Sequence, residues 1–546
     1  MRVRAARPDE AEALSALVLR SKAHWGYDAA FLAACRDELR LRPGDVAARR
    51  AVVAERDGTV AGVATLDGDP PDGELGLLFV EPRALRTGVG RLLYRHVLAE
   101  AGRQGFARVT VRSDPHAAGF YRAMGAEPAA PDAGLPVFTA WPVPPEPAWA
   151  RAWAAGGPDV RVGNVAAFNG QFCRVPQRPD HYSCMVMFCG PMPAGLVLPE
   201  RVDDWWLRAT AAALGWDDVP ALTHVAGGRV VPWGRTSGTP EVMAAIRHYE
   251  SKRHAHALFT ALAPEHPGIV VPARRPVRSR RALARELAGG PLVLKAEYGV
   301  GGSGTRVVTP GGRLPRRVAG LLVEDHVAKD DRFPDPTFDA FIDGAGTVHP
   351  VGTGLMDVAG TAYRGVTVGR VPGGVATTAE TFGVHVGRVL AEDGYRGWYD
   401  VDFVTARTGR LAPTEINLRL TGPAVAFHLK ATFDRLRGGD HLVRTLDRVP
   451  LGARLPPPAL RRHVERLTRT CADAGAVLVV TIPTAAFDPV PYLGVALAAR
   501  TPEALDQATQ AVRDANRALG AMFRDLDVSR RGAGRTRTRR ARPPRA

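Results

Sequence analysis

The chain has 546 residues, too many for one hydrophobic core, so several domains are expected. Hydrophobic residues make up 45% and charged residues 23%, a balance that excludes a wholly disordered or fibrous chain. The formal charge of +16 raises nucleic acid as a partner, yet Arg530, Arg531, Arg535, Arg537, Arg539, Arg540, Arg542 and Arg545 crowd the last seventeen residues, which hold no acid. That tail, residues 529–546, reads as a disordered arginine-rich segment, and no specific nucleic-acid partner is expected. No apolar run reaches membrane-spanning length, and the chain opens directly on the strand-like Met1-Arg2-Val3-Arg4. A cytoplasmic protein without a membrane partner is therefore expected. Cys35, Cys173, Cys184, Cys189 and Cys471 are odd in number and lack zinc-site spacing, which points to a reduced setting, with Cys184 and Cys189 as small core residues.

Residues 1–142 read as a small mixed domain. Residues 2–5 form a strand and residues 8–19 a helix with Asp9 and Glu10 in its first turn. Residues 51–54 and 60–66 form a hairpin around Asp57-Gly58. Residues 74–80 form a further strand, followed by Arg86-Thr-Gly-Val-Gly-Arg91 and a helix over 92–102. A strand, a Gly-x-Gly turn and a helix N-terminus together make an anion site. A strand over 107–112 and a helix over 117–124, carrying Phe120 and Tyr121, complete the domain.

These residues resemble the GNAT N-acetyltransferases. Arg86-Thr-Gly-Val-Gly-Arg91 resembles their pyrophosphate loop, and residues 113–125 their last motif. The resemblance implies acetyl-CoA held by Val80, Arg86, Gly88, Val89, Gly90 and Arg91. It also implies that Tyr121 protonates the departing thiolate. Leu85 departs from the Arg or Gln usual at that place, with Arg86 as the substitute charge. Glu74 is a candidate general base, directly or through water. An alternative makes Glu74 a solvated strand residue and Tyr121 a core aromatic.

A Pro- and Gly-rich linker, residues 143–157, is poor for helix. Residues 158–250 read as an α/β domain with an amphipathic helix over 202–214, whose Trp205 and Trp206 read as core. Residues 251–450 carry the chemistry. Lys295 ends an apolar strand just before a glycine loop that holds Gly301, Gly302, Ser303 and Gly304. Such a loop lays backbone N–H groups against phosphate, and the lysine adds a mobile cation. Asp402 lies on one predicted strand, and Glu415 and Asn417 lie two apart on the next, facing the same way. All three offer hard oxygens that suit Mg²⁺, and Arg419 shares their face.

This ordered set resembles the ATP-grasp ligases. The resemblance implies Asp402, Glu415 and Asn417 as magnesium ligands, Lys252 and Lys295 as ATP contacts, and residues 321–327 as the hinge receiving adenine through Glu324, Asp325 and Val327. Arg419 and Arg364 are candidate catalytic cations, Arg364 toward an acyl phosphate or a substrate carboxylate; a solvent-facing hairpin arginine is the alternative for Arg364. Residues 451–528 form a helix–strand–strand–helix α+β appendix resembling that of pheganomycin-type peptide ligases.

The fold expected is multidomain α/β and α+β: a GNAT fold, a pre-ATP-grasp α/β domain, a two-lobed ATP-grasp core and a small C-terminal domain. The implied activity is ATP- and Mg²⁺-dependent joining of a carboxylate to an amine of an amino acid or peptide, fused to acetyl-CoA-dependent N-acetylation, with a homodimer left open. The alternatives are an ATP-grasp kinase or carrier-loading enzyme, an acetyltransferase regulated by nucleotide, and a nucleotide- or RNA-binding regulator.

Overall fold

The computed structural model describes residues 1–172, 180–223, 229–299, 302, 304–329 and 332–536. The chain forms two compact units: residues 1–146 with 432–440, and residues 147–431 with 441–546. The boundary after Glu146 falls inside the expected linker. That linker nevertheless contains a helix, Ala148–Ala154. Pro147 stands just before its first residue, where a missing N–H costs nothing. Trp149 and Trp153, four apart, are buried on one side of it against Trp398 and His428. Proline spacing suggested an extended segment, and tryptophan burial outweighs it.

The first unit holds two sheets. The four-stranded sheet runs Arg2–Ala5, Val52–Arg56, Thr59–Ala64, Leu78–Val80, all antiparallel. Asp57 and Gly58 both take positive φ, the two-residue turn that matches strand twist. The five-stranded sheet runs Asp67–Asp69, Asp72–Glu74, Arg108–Arg112, Leu135–Ala140, Glu127–Asp132. The single strand expected over 74–80 is two strands belonging to different sheets. The change of partner centres on Gly76, where any Cβ would strike the Asp67 carboxylate and the Arg49 guanidinium paired with it. Leu75 N–H bonds Thr110 O on one side, and Leu77 N–H bonds the Thr65 hydroxyl on the other. The segment therefore splays the two sheets apart just before the loop that leads into the Val89–Arg103 helix.

The second unit contains a three-stranded parallel sheet (Gly195–Val197, Asp159–Val162, Arg229–Pro232) and a three-stranded antiparallel sheet (Thr305–Val308, Leu292–Lys295, Leu322–Asp325). Its largest sheet has eight antiparallel strands in the order Leu411–Asn417, Gly397–Thr405, Asp335–Ile342, Val348–Ala359, Ala362–Val368, Leu442–Pro450, Tyr492–Ala499, Ala476–Ile482. The two strands expected of a separate C-terminal domain thus continue this sheet. The last helix runs Pro502–Thr536, well into the predicted tail.

Alternation in the big sheet separates core from chemistry. Phe338, Tyr399, Val401 and Phe403 lie on the face covered by the Gly373–Glu392 helix. The opposite face carries Thr337, Asp339, Asp400, Asp402, Glu415 and Asn417, for Asp339 pairs with Asp400, Thr337 with Asp402, Glu415 with Asp402 and Asn417 with Asp400. The covering helix lies so close that a Cβ at Gly383 would enter the Phe338 ring and one at Gly387 the Tyr399 hydroxyl. Tyr399 Oη donates to Gly383 O at 2.9 Å. Cys184, Cys189 and Cys471 are buried free thiols, as small core residues should be, and Cys173 lies outside the described residues. Among the described residues no helix is long and apolar enough to cross a membrane.

Gly383→Ala should lower stability by about 1–3 kcal/mol, the cost of overpacking a filled interface. Gly374→Ala, on the same helix with open space around it, should be neutral or stabilising. Urea denaturation of both variants checks this; equal stability would mean that the helix does not press on the sheet as described.

Candidate functional site

One cavity of about 590 Å³ in the second unit gathers most of the residues singled out from the sequence. Lys252, Lys295, Gly302, Glu324, Asp325, Val327, Asp402, Glu415, Asn417 and Arg419 all line it. Three cations and three acids are matched one to one. Lys252 is ion-paired with Glu415, Lys295 with Glu324 at 2.8 Å, and Arg419 with Glu250 at 3.2 Å. Lys252 opens the Lys252–Leu262 helix, and its backbone N–H bonds Glu297 O, which ties that helix to the stretch after Lys295. Lys252 Nζ also reaches Gly299 O at 3.4 Å. Burial opposes ionisation of Glu415, but Lys252 outweighs it and holds the carboxyl below its ordinary range.

Three further carboxyls, Asp339, Asp400 and Asp402, stand on the same sheet face with no ion-pair partner among the described residues. Asp339 accepts from Trp398 Nε1 at 2.8 Å, and Asp400 from Asn417 Nδ2 at 2.7 Å. Asp402 accepts only a long 3.5 Å contact from Asn417, and its Oδ1 is buried without a hydrogen-bond partner. Burial, and then the neighbouring carboxylates, push all three upward: Asp339 to about 8, and Asp400 and Asp402 well above the usual range. Such a cluster lacks positive charge, and hard oxygens lacking charge are the donor set a divalent cation satisfies.

The residues present fit magnesium in chemistry: Asp402 offers a free oxygen, and Glu415 lies directly across the strand pair from it. They are not assembled as ligands, since Glu415 is turned to Lys252 and Asn417 points its Oδ1 at Arg419 Nη1, 2.7 Å away. Among the described residues no three His, Cys, Asp or Glu side chains form a metal-holding cluster.

The glycine loop is built for close approach. Gly302 and Gly304 both have positive φ, near +80°. A Cβ on Gly302 would strike the Thr361 carbonyl, and one on Gly304 would lie 2.8 Å from Ala296 Cβ. Gly302 therefore rests on the turn between the Val348–Ala359 and Ala362–Val368 strands, where Thr361 Oγ1 donates to Thr305 O at 3.2 Å. Gly301 and Ser303 lie outside the described residues.

Other expected residues sit differently. Asp325 directs its carboxylate to Arg275, at 2.7 and 3.0 Å, rather than into the cavity. Arg364 is exposed and absent from the lining; strand alternation gives that place to Tyr363. His428 is buried among Trp149, Trp153 and Trp398, and burial holds it well below its ordinary pKa. Glu250, Asp339, Asp400, Tyr182 and Asp447 were not anticipated. Asp400 alone had a signal, standing two before Asp402 on one strand.

In the first unit, Val80 ends the Leu78–Val80 strand and Arg86 takes a left-handed φ of 62°. Gly88 caps the Val89–Arg103 helix at φ 92°, with no side chain capping its amides. The first amides of any α-helix have no intrahelical acceptor, so those of Val89, Gly90 and Arg91 remain for an anion. Tyr121 is buried among Tyr94, Phe120 and Phe138, and burial raises its pKa, which keeps its proton in place. Glu74 is ion-paired with Arg112 at 2.5 Å and half-exposed.

Comparison with protein families matches residues 20–126 to the acetyltransferase (GNAT) family, so the first unit carries a GNAT acetyltransferase domain. Comparison with curated proteins gives no match. Among solved structures, the PaiA N-acetyltransferase of Thermoplasma acidophilum, in complex with coenzyme A, is 14% identical, covering 25% of this chain and 96% of its own with a TM-score of 0.23. Carboxyaminoimidazole ribonucleotide synthase of Aspergillus clavatus, complexed with ATP, is 13% identical over 67% of this chain and 99% of its own, with a TM-score of 0.41. The biotin carboxylase domain of a Hydrogenobacter thermophilus 2-oxoglutarate carboxylase, with MgADP, ADP and bicarbonate, is 12% identical over 65% and 89%, with a TM-score of 0.37.

Proposed function

We propose that the second unit is an ATP-dependent carboxylate–amine ligase of the ATP-grasp type, and that the GNAT domain acetylates an amine from acetyl-CoA. The observation that carries the ligase reading is the excess of buried carboxylate on one sheet face beside three lysine and arginine side chains. A carboxylate is a poor electrophile. Attack of its oxygen on the γ-phosphorus of ATP forms an acyl phosphate and releases ADP. Attack of an amine on the acyl carbon then forms the amide, releases phosphate and frees a proton.

Asp402, Glu415 and Asn417 would hold Mg²⁺, which supplies positive charge to the phosphate oxygens as the phosphoryl group moves. Glu415, if it held the cation, would leave the Lys252 charge for phosphate. Lys295 and Arg419 add charge on either side. Gly302 brings backbone to the cavity wall, close to where phosphate would lie. Glu324, buried with one oxygen unpartnered beside Val327, is an acceptor for the exocyclic amine of adenine. The amine and carboxylate substrates are taken to be amino acids or peptides.

Glu415→Gln keeps the shape and removes one ligand charge. ADP release by the full-length enzyme with Mg²⁺ and amino-acid pairs should fall by about 10²-fold or more, the scale lost with one electrostatic group at the reacting phosphate. Unchanged turnover, or a wild type that releases no ADP with any pair, would remove the ligase reading.

In the GNAT domain, Gly88→Ala forces a side chain into left-handed backbone at a cost of about 1–2 kcal/mol. Acetyl-CoA affinity of the full chain should drop roughly tenfold by titration, since 1.4 kcal/mol is a factor of ten. Equal affinity would place the pyrophosphate elsewhere.

A further inference from the structure

The cavity has a second end that the phosphate chemistry does not use. There Asp447, Arg448, Tyr182, Tyr363, Trp233 and Tyr492 line the wall. Asp447 arrives through an irregularity in its strand. Leu446 pairs with Val495 and Val449 with Leu493, so Asp447 and Arg448 together face one residue of the neighbouring strand. A bulge of this kind re-aims a side chain. On its other side the Leu442–Pro450 strand pairs with Ala362–Val368 at only two positions, Thr367 with Arg444 and Val368 with Val443. Beyond them no side chain fits at Gly365, whose Cβ would strike the Thr445 carbonyl.

Asp447 is buried and makes no ion pair. Its Oδ2 accepts from Tyr182 Oη at 2.7 Å, and its Oδ1 is buried with no hydrogen-bond partner. The nearest cation on its own strand, Arg448, is exposed and lies over the Tyr492 ring, 4.7 Å from its centroid. The Tyr363 hydroxyl is likewise buried without a partner. Both tyrosine hydroxyls converge above Gly422: a Cβ there would strike Tyr363 Oη and lie 2.8 Å from Tyr182 Oη. The site thus offers three oxygens, one from a carboxylate, walled by aromatic rings.

An ammonium group has three N–H donors and a charge that aromatic walls favour. A divalent cation would need more carboxylate than the single one present. We propose that Asp447, with the Tyr182 and Tyr363 hydroxyls, binds the primary ammonium of the amine-bearing substrate. As an assignment of substrate position this rests on the ligase reading above; as a binding site it does not. Here Asp447 is a positioning and specificity residue. It lines the same cavity as Asp402 and Glu415, so an amine held there would share the cavity with the phosphate chemistry.

The test is calorimetric titration of the full-length protein with L-alaninamide, which has the ammonium but no carboxylate, against N-acetyl-L-alaninamide, which is neutral. Both are run with and without a non-hydrolysable ATP analogue. Alaninamide should bind and the neutral amide should not. Asp447→Asn should weaken alaninamide binding about tenfold or more, the loss of a charge-assisted contact. Gly422→Ala, which fills the space where the hydroxyls meet, should do the same.

Burial pushes the Asp447 carboxyl up to about 7, against the pull of the Tyr182 and Thr445 hydroxyls. A carboxyl raised in this way loses the native state stability as pH climbs from its unfolded value through about 7. The Asn variant should therefore melt no lower than wild type at pH 8, which secures the fold. No alaninamide binding by wild type, equal binding of the neutral amide, or affinities within twofold of wild type in both variants would overturn the proposal. ATP-analogue binding with Asp447-independent amine binding removes this inference alone. Asp447-dependent amine binding without ATP binding supports the site and removes the ligase reading.

Discussion

Asp339, Asp400 and Asp402 share one face of a sheet without an ion-pair partner among the described residues, and much of the second unit is arranged around that imbalance. A buried carboxylate near another is expensive, and each forces its neighbour toward the neutral acid. Arg419 relieves Asp400 and Asp402 only in part, and each neighbouring cation is already paired: Lys252 with Glu415, Lys295 with Glu324, Arg419 with Glu250. Lys329, which also lines the cavity, is paired with Asp335, so the aspartates on this face keep unmatched negative charge that added positive charge would offset. On the proposed reading, a divalent ion with a triphosphate would meet that need and leave the cations for the phosphates.

The scaffold makes this arrangement stiff. Gly383 and Gly387 let the Gly373–Glu392 helix lie against Phe338 and Tyr399, so the strands bearing the acids are clamped from behind. Trp398 serves both sides: its ring belongs to the tryptophan and histidine cluster, and its Nε1 donates to Asp339. Gly302 pressed on the Thr361 carbonyl sets the glycine loop against a hairpin turn of the same sheet. Asp402 and the proposed amine-binding Asp447 thereby stand on strands of one sheet, as positioning two reactants would require.

Parts of this were legible in the chain and parts were not, for physical reasons. Tyr399-Asp-Val-Asp-Phe alternates with period two, so Asp402 and its partners Glu415 and Asn417 could be placed on one face from local pattern alone. Asp57-Gly58 and the Gly-x-Gly at Gly88 and Gly90 are local turn chemistry and could be read in the same way. Asp339 could not, because it reaches the cluster only through strand pairing across the fold. Glu250, Tyr182 and Asp447 are alike: Tyr182 and Asp447 meet across 265 positions of sequence. The break at Gly76 was hidden because the chain stays extended and only its partners change. Arg364 was singled out where its neighbour Tyr363 holds the cavity position, a one-residue difference that on a strand reverses the face.

The central claim is that charge arriving with nucleotide reorganises the Lys252–Glu415 pair. The direct measurement is a crystal structure with Mn²⁺ and a non-hydrolysable ATP analogue, read by anomalous scattering. The account predicts a manganese peak between the Asp402 and Glu415 carboxylates, with Lys252 parted from Glu415 and turned to phosphate. Nucleotide bound with Lys252 and Glu415 still paired, or manganese lying away from Asp402, would contradict it.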